Sequence, residues 1–198
     1  MTSVPSTQVE PTAVYLPNNR RLAEQIAAAN LPFPESAGRV VLRGEDIPLV
    51  MNRIARRSQA AVGITGDDLL DDWLAAGNEL DERVTRSRIL WNDARAVYGK
   101  PALCLIAAQG GGFEPQNARI AVCARYQNLA ARFLEQTYGA ATLLNVTPFS
   151  GGTETLIGVG LADAVIDIVV TGSTIRSLGL EVREVIYTSD LALLEVRP

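Results

Sequence analysis

The stretch DAVIDIVVTGSTIRSLGL, residues 163–180, decides how this chain reads. Its first half, Ala164–Val170, is an apolar, β-branched run of strand length and reads as a buried strand. The run stops at Thr171-Gly172-Ser173-Thr174 and enters a helical turn near Ile175–Leu178. A strand that opens through such a turn into a helix aims several N–H groups at one point, at the positive end of the helix dipole. Gly172 lets the main chain approach an anion without a Cβ in the way, and Thr171, Ser173 and Thr174 add hydroxyl donors. Asp167 on the strand and Asp163 just before it are carboxylates of the kind that accept from sugar hydroxyls or hold a magnesium ion. Taken alone, the same pattern also describes an ordinary N-capped turn.

Outward from this stretch, short β-branched runs alternate with helical patterns, which argues for an α/β fold. Strands are expected at 13–16, 39–43, 60–65, 101–108, 119–124, 141–146 and in the closing runs EVREVIY and ALLEV. Helices are expected at 20–29, after Asp46 to about Arg57 with Asp46 as cap and Pro48 in the first turn, and from Asp67 to a glycine stop at Gly77. Further helices are expected at 128–138 and, as one short piece, at 152–158. RILWNDARAVYG, within the charged region 78–100, alternates like an exposed strand or hairpin arm. QGGGFEPQN, after residue 108, reads as a crossing between lobes.

With 198 residues, 47% hydrophobic and 20% charged, the chain has material for one large domain or two small lobes. A net charge of −4 gives no bulk attraction for nucleic acid or anionic lipid, so neither is expected as a partner. Residues 1–12 read as a loose polar tail without the features of a secretory signal, and no apolar run is long enough for a membrane span. The chain has no histidine, which excludes Cys–His and Ser–His nucleophile pairs and the usual zinc sites. Cys104 and Cys123 sit in apolar runs and read as reduced core residues.

Residues 151–196 resemble the C-terminal part of the ATP phosphoribosyltransferases. Gly151–Glu154 looks like that family's Gly-Ser-x-Glu segment, with Gly152 in place of Ser; Gly160–Asp167 looks like its Gly-Leu-Ala-Asp-Ala-Ile-x-Asp run. Thr171–Thr174 and Gly179-Leu180 are similar to its Thr-Gly-x-Thr loop and Asn-Gly-Leu close. Upstream, VCARYQNLAARFL (122–134), GITGDDLL (63–70) and RGEDIP (43–48) resemble further family segments in the same order. The family's opening Leu-Pro-Lys-Gly-Arg-Leu reads here as Leu16-Pro17-Asn18-Asn19-Arg20-Arg21-Leu22, so its Lys and Gly are replaced, and the region 78–100 is longer than its counterpart.

The resemblance implies a two-lobed, periplasmic-binding-protein-like (type II) fold with its active site in the cleft between lobes. Lobe I is expected over 13–108 plus 180–198 and lobe II over 109–179. It implies a cytoplasmic enzyme that joins phosphoribosyl pyrophosphate to N1 of ATP, with magnesium, in the first step of histidine biosynthesis. A homodimer is implied, and the length is similar to that of short forms that work with a regulatory subunit resembling a histidyl-tRNA synthetase. The donor phosphate falls to Thr171, Gly172, Ser173 and Thr174, and the ribose to Asp167 with Asp163 or Glu154. Magnesium is expected at Asp163 and Asp167, mostly through substrate. Arg43 is the candidate for the departing pyrophosphate, since a planar guanidinium suits that anion. Arg20, Asp46, Thr65, Gly66 and Asp67 are expected on the acceptor side, with Asp68 as a helix-capping neighbour. Transfer to another nitrogenous acceptor and a non-catalytic ligand-binding subunit are the alternative readings.

Overall fold

A computed structural model describes residues 10–197, in which strands and helices alternate. The elements run β1 (Ala13–Pro17), α1 (Arg20–Ala28), β2 (Gly38–Leu42), α2 (Ile47–Ala55), β3 (Ala61–Gly66), α3 (Asp67–Ala75), β4 (Val84–Ile89) and β5 (Ala102–Ala108). They continue β6 (Ile120–Cys123), α4 (Gln127–Tyr138), β7 (Val146–Phe149), α5 (Thr155–Gly158), β8 (Ala164–Val169), α6 (Ser173–Ser177), β9 (Leu180–Thr188) and β10 (Leu191–Val196). The chain forms two compact units: one takes the chain up to Gly66, Glu79–Ile89 and the residues from Leu191; the other takes Asp67–Asn78 and Leu90–Asp190.

The first unit holds a sheet of order β2-β1-β3-β10-β4. Strands β1, β2 and β3 are parallel, and β10 runs antiparallel between β3 and β4. Helix α2 buries Ile47 and Met51 completely. It lies so close to β3 that a Cβ on Gly63 would come within 2.8 Å of the Met51 sulfur, so only glycine fits there. Asp46 ends a 3-10 turn (Gly44–Asp46) and makes no side-chain capping bond to α2, contrary to the expected cap. Residues 1–9 of the expected tail lie outside the described residues, but Thr12 is not loose: its hydroxyl donates to the Ala60 carbonyl at 2.9 Å.

The second unit holds a sheet of order β7-β6-β8-β5-β9. Strands β7, β6 and β8 are parallel, and β5 is antiparallel to both β8 and β9. One face buries Cys104, Ile106, Val165 and Val169 with Ile175 of α6, and Leu156 and Ile157 of α5 pack against it. Because strand side chains alternate, Asp167 shares this face with Val165 and Val169. Both cysteines are free and buried; burial pushes the Cys104 thiol up to about 12.

Several expectations are corrected. Strands β5 and β9, expected in the first lobe, pair with each other and with β8 in the second sheet, so only β10 of the closing strands returns to the first. Residues 109–119 connect two strands of that one sheet and do not cross between units. Of residues 141–146, expected as strand, all but Val146 fall in a 3-10 helix (Ala140–Asn145) after Gly139, whose φ of 90° ends α4; a short apolar run does not reveal its period. Of the expected hairpin arm, residues 88–99, only Arg88 and Ile89 are strand, at the end of β4, and the residues from Leu90 to Lys100 fold on themselves through Asp93.

Candidate active site

The carboxyl ends of β7, β6 and β8 lie at one edge of the second sheet, in register from Phe149 through Cys123 and from Val122 to Ile166. Loops after parallel strands converge there, which is where open α/β sheets bind their ligands. Three of the motifs meet at this edge: Gly151–Glu154 follows β7, Ala124–Tyr126 follows β6, and Thr171–Thr174 follows β8.

The turn after β8 has the shape expected from its sequence. Gly172 is left-handed with φ of 64°, and it leads directly into α6. A Cβ at this position would stand 3.1 Å from Nη1 of Arg176 and 3.2 Å from Cγ2 of Val97. The Thr171 and Ser173 hydroxyls lie 3.0 Å apart, and the first-turn amides of α6 have no acceptors within the helix. The Ser173 amide donates to the Thr171 hydroxyl at 3.4 Å, so amide and hydroxyl meet within the turn.

Asp167 is oriented by a residue that the sequence reading passed over. The fully buried Thr153 hydroxyl donates to its Oδ2 at 2.6 Å, while Oδ1 accepts from the Ile168 N–H at 2.7 Å. Thr153 occupies the variable place in the Gly151–Glu154 motif, so the motif's middle residue locks the acid while the neighbouring Glu154 side chain makes no cap bond to α5. Nearby, burial raises the Cys123 thiol pKa, the Asp167 carboxylate adds to the rise, and Arg125 opposes it. Arg125 therefore brings a cation to the same edge. It was legible only as the basic place in the VCARY segment.

Asp163 lies elsewhere. Six residues of extended chain separate it from Val169, about 20 Å, which puts it at the opposite edge from the turn. There it is closed by Arg119: Nη2 donates to Oδ1 at 2.7 Å, Nε to Oδ2 at 3.0 Å, and the Arg119 amide to Oδ2 at 2.8 Å. These bonds hold the carboxyl down at about 2. Asp163 is therefore removed from the ribose and magnesium assignments. Asp163 and Asp167 are about 13 Å apart along the strand, too far to share one ion. Among the described residues, no group of three or more acidic or cysteine side chains could hold a metal.

In the first unit, Arg43 is exposed and precedes the 3-10 turn Gly44–Asp46, and Asp46 is exposed at its end. Thr65 is fully buried and its hydroxyl donates to the Gly44 carbonyl at 2.7 Å, so it pins that turn to β3. Gly66 is the last residue of β3. Asn19 caps α1, accepting from the Arg21 and Leu22 amides at 2.9 and 3.2 Å, and Arg20 pairs with Glu24 at 2.9 Å. In the second unit, Asp67 is buried at the start of α3, with its amide donating to the Asp190 carbonyl at 2.9 Å. Asp68 is buried beside it, taking the Ser189 hydroxyl at 2.7 Å. Burial raises its pKa, against the bonds from Ser189 and Tyr126. Asp72 accepts from the Asn128 and Leu129 amides at 2.9 and 2.8 Å, which makes it the cap of α4.

Two α/β sheets of these orders, with a hydroxyl-rich turn at a carboxyl edge, define the type II periplasmic-binding-protein-like class. The aliphatic sulphonate binding protein SsuA from Escherichia coli shares the fold, with a TM-score of 0.55 and 16% identity over 96% of this chain and 62% of that one. The ATP phosphoribosyl transferase (HisG:HisZ) complex from Thermotoga maritima also shares it, with a TM-score of 0.64 and 19% identity over 94% and 87%. The family model for HisG, ATP phosphoribosyltransferase, matches residues 43–197, and the chain belongs to that family. The ATP phosphoribosyltransferase of Thermus thermophilus is 30% identical, covering 91% of this chain and 84% of the relative. That of Metallosphaera sedula is 32% identical over 76% of this chain and 47% of its own length, so the chain spans about half of such longer relatives.

Proposed function

We propose that the chain transfers a 5-phosphoribosyl group from phosphoribosyl pyrophosphate to N1 of ATP, releasing pyrophosphate, in the first step of histidine biosynthesis. The observation that carries this reading is the oriented Asp167 on the strand that leads into the Thr171–Thr174 turn, in a chain of this family. The turn takes the donor's 5′-phosphate, through the amides after Gly172 and the hydroxyls of Thr171, Ser173 and Thr174. Asp167, fixed by Thr153, accepts from a ribose hydroxyl, with Glu154 nearby. The C1′–O bond breaks with its electron pair leaving on pyrophosphate, and the lone pair of N1 forms the new C1′–N bond. Charge develops on the leaving group, and Arg43 is the residue assigned to it. Nothing in this step needs a protein nucleophile, which fits a chain without histidine. Magnesium belongs to the pyrophosphate of the donor, since Asp163 and Asp167 do not form a site for it. The reading implies a cytoplasmic setting, a homodimer and a regulatory subunit similar to a histidyl-tRNA synthetase. The Thermotoga maritima neighbour is itself a HisG:HisZ complex.

A second reading, transfer to a different nitrogenous acceptor, is favoured by the segment Asn18-Asn19-Arg20. Asn19 there serves as a helix cap and Arg20 is engaged with Glu24. Pyrophosphate release measured with phosphoribosyl pyrophosphate, magnesium and ATP, with and without a candidate regulatory subunit, separates the two. Turnover is expected with ATP. Donor binding with turnover only on another base selects the second reading, and donor binding without turnover on any base leaves a ligand-binding subunit.

A further inference from the structure

The chain between β4 and β5 runs from Leu90 to Lys100 outside any helix or strand, yet it is tied down at both ends. At one end the Trp91 amide donates to Oδ1 of Asp190 at 2.9 Å, and at the other Nζ of Lys100 grips the same carboxylate at 2.7 and 2.9 Å. Between them, the Asp93 amide donates to the Gly99 carbonyl at 2.9 Å, and Arg95 clasps the Asp93 carboxylate with Nε and Nη2 at 2.9 and 3.0 Å. Asp93 and Trp91 are buried. These bonds close the segment into a fixed loop, and its apex is aimed at one place.

That place is the turn after β8. The Val97 amide donates to the Val170 carbonyl at 2.8 Å, extending the end of β8 by one main-chain bond. Its Cγ2 stands 3.2 Å from where a Cβ of Gly172 would be, so the valine fills the space that the glycine leaves open. Val97 is 53% exposed, and its Cγ2 faces the turn on the covered side. A phosphate turn must hold its amides within a few tenths of an ångström to keep its grip, and a supporting shell supplies that rigidity. A left-handed glycine is the residue in the turn with the most freedom to lose.

We propose that the segment Leu90–Lys100 braces the sugar-phosphate turn, with Val97 as the positioning residue that holds Gly172 and its neighbouring amides in the donor-binding shape. This rests on the phosphoribosyl reading above and adds to it a residue from outside the motifs. Val97 touches no substrate; it acts through the turn.

The test is calorimetric titration of the full chain with phosphoribosyl pyrophosphate in magnesium and, separately, with ATP. Val97→Ala is expected to weaken donor binding by about three- to tenfold, because the turn gains play. ATP binding and the melting temperature are expected to stay as in the wild type, and Val97→Ile to bring donor affinity back to within about twofold. Unchanged donor affinity in Val97→Ala overturns the brace, and so does an equal loss for donor and ATP, which would report general loosening. If the wild-type chain fails to bind the donor at all, the phosphoribosyl reading itself falls and takes the brace with it. That result is separate from wild-type binding that Val97→Ala leaves untouched.

Discussion

Asp163 and Asp167 stand four residues apart in one motif, the first just before β8 and the second within it, yet their surroundings differ in kind. Asp163 is saturated by three bonds from Arg119, at the edge where the parallel strands begin. Asp167 is held by one buried hydroxyl and its neighbour's amide, at the edge where those strands end and the loops gather. The first acid is locked for structure, whereas the second is steadied on the strand that leads into the turn proposed to take the donor phosphate. Adjacency in a motif is not adjacency in space when the motif runs along a strand, because each residue advances the chain by about 3.3 Å.

The comparison is broken most forcefully at Gly172. Alanine at a left-handed position costs about 1–2 kcal/mol, and here its Cβ also meets Val97 and Arg176 at 3.2 and 3.1 Å. Gly172→Ala is expected to weaken donor binding by about five- to thirtyfold, the equivalent of that strain. Titration with phosphoribosyl pyrophosphate checks this, and a variant that binds like the wild type would remove the turn from the site. Next comes Asp167→Asn, which keeps an acceptor for only one of the two donors, the Thr153 hydroxyl and the Ile168 N–H, and loses the charge. Hydrogen bonds to an ionised acceptor are roughly twice as strong as neutral ones. A loss of about fivefold in donor affinity is expected, with folding little changed by circular dichroism.

The strand, the turn and the helix start were legible because each has a local cause: a β-branched run, then a residue without a Cβ, then hydroxyl residues opening a helix. The partition between sheets was not. Strand β5 reads the same whichever sheet it joins, and only its pairing with β8 and β9 places it in the second. The roles of the two acids were hidden for a similar reason. Arg119 lies 44 residues before Asp163 in sequence, and Thr153 lies 14 before Asp167 on another connection. No spacing rule joins such partners. What the motif did contain was Thr153 itself, in a place that pattern matching treats as free.

The smallest effect sharpens the comparison by its absence at the site. Asp163→Asn is expected to leave donor binding unchanged, since the residue stands about 20 Å of strand from the turn. Its cost falls on stability alone. With side-chain exposure of 55% for Arg119 and 43% for Asp163, solvent screens the pair, so about 0.2–1 kcal/mol is expected. The sign of its pH dependence follows from the depressed carboxyl, at about 2 when folded against an ordinary 3.8. An acid whose folded pKa is lowered adds stability above its unfolded pKa and loses it as pH falls through the folded one. The melting temperature of the wild type should therefore exceed that of Asp163→Asn by about 1–3 °C at pH 6, with the gap closing as pH drops from about 4 towards 2. A gap that persists at pH 2 would mean that the bonds to Arg119 do not depend on the charge of Asp163. A drop in donor affinity in the same variant would return this acid to the site.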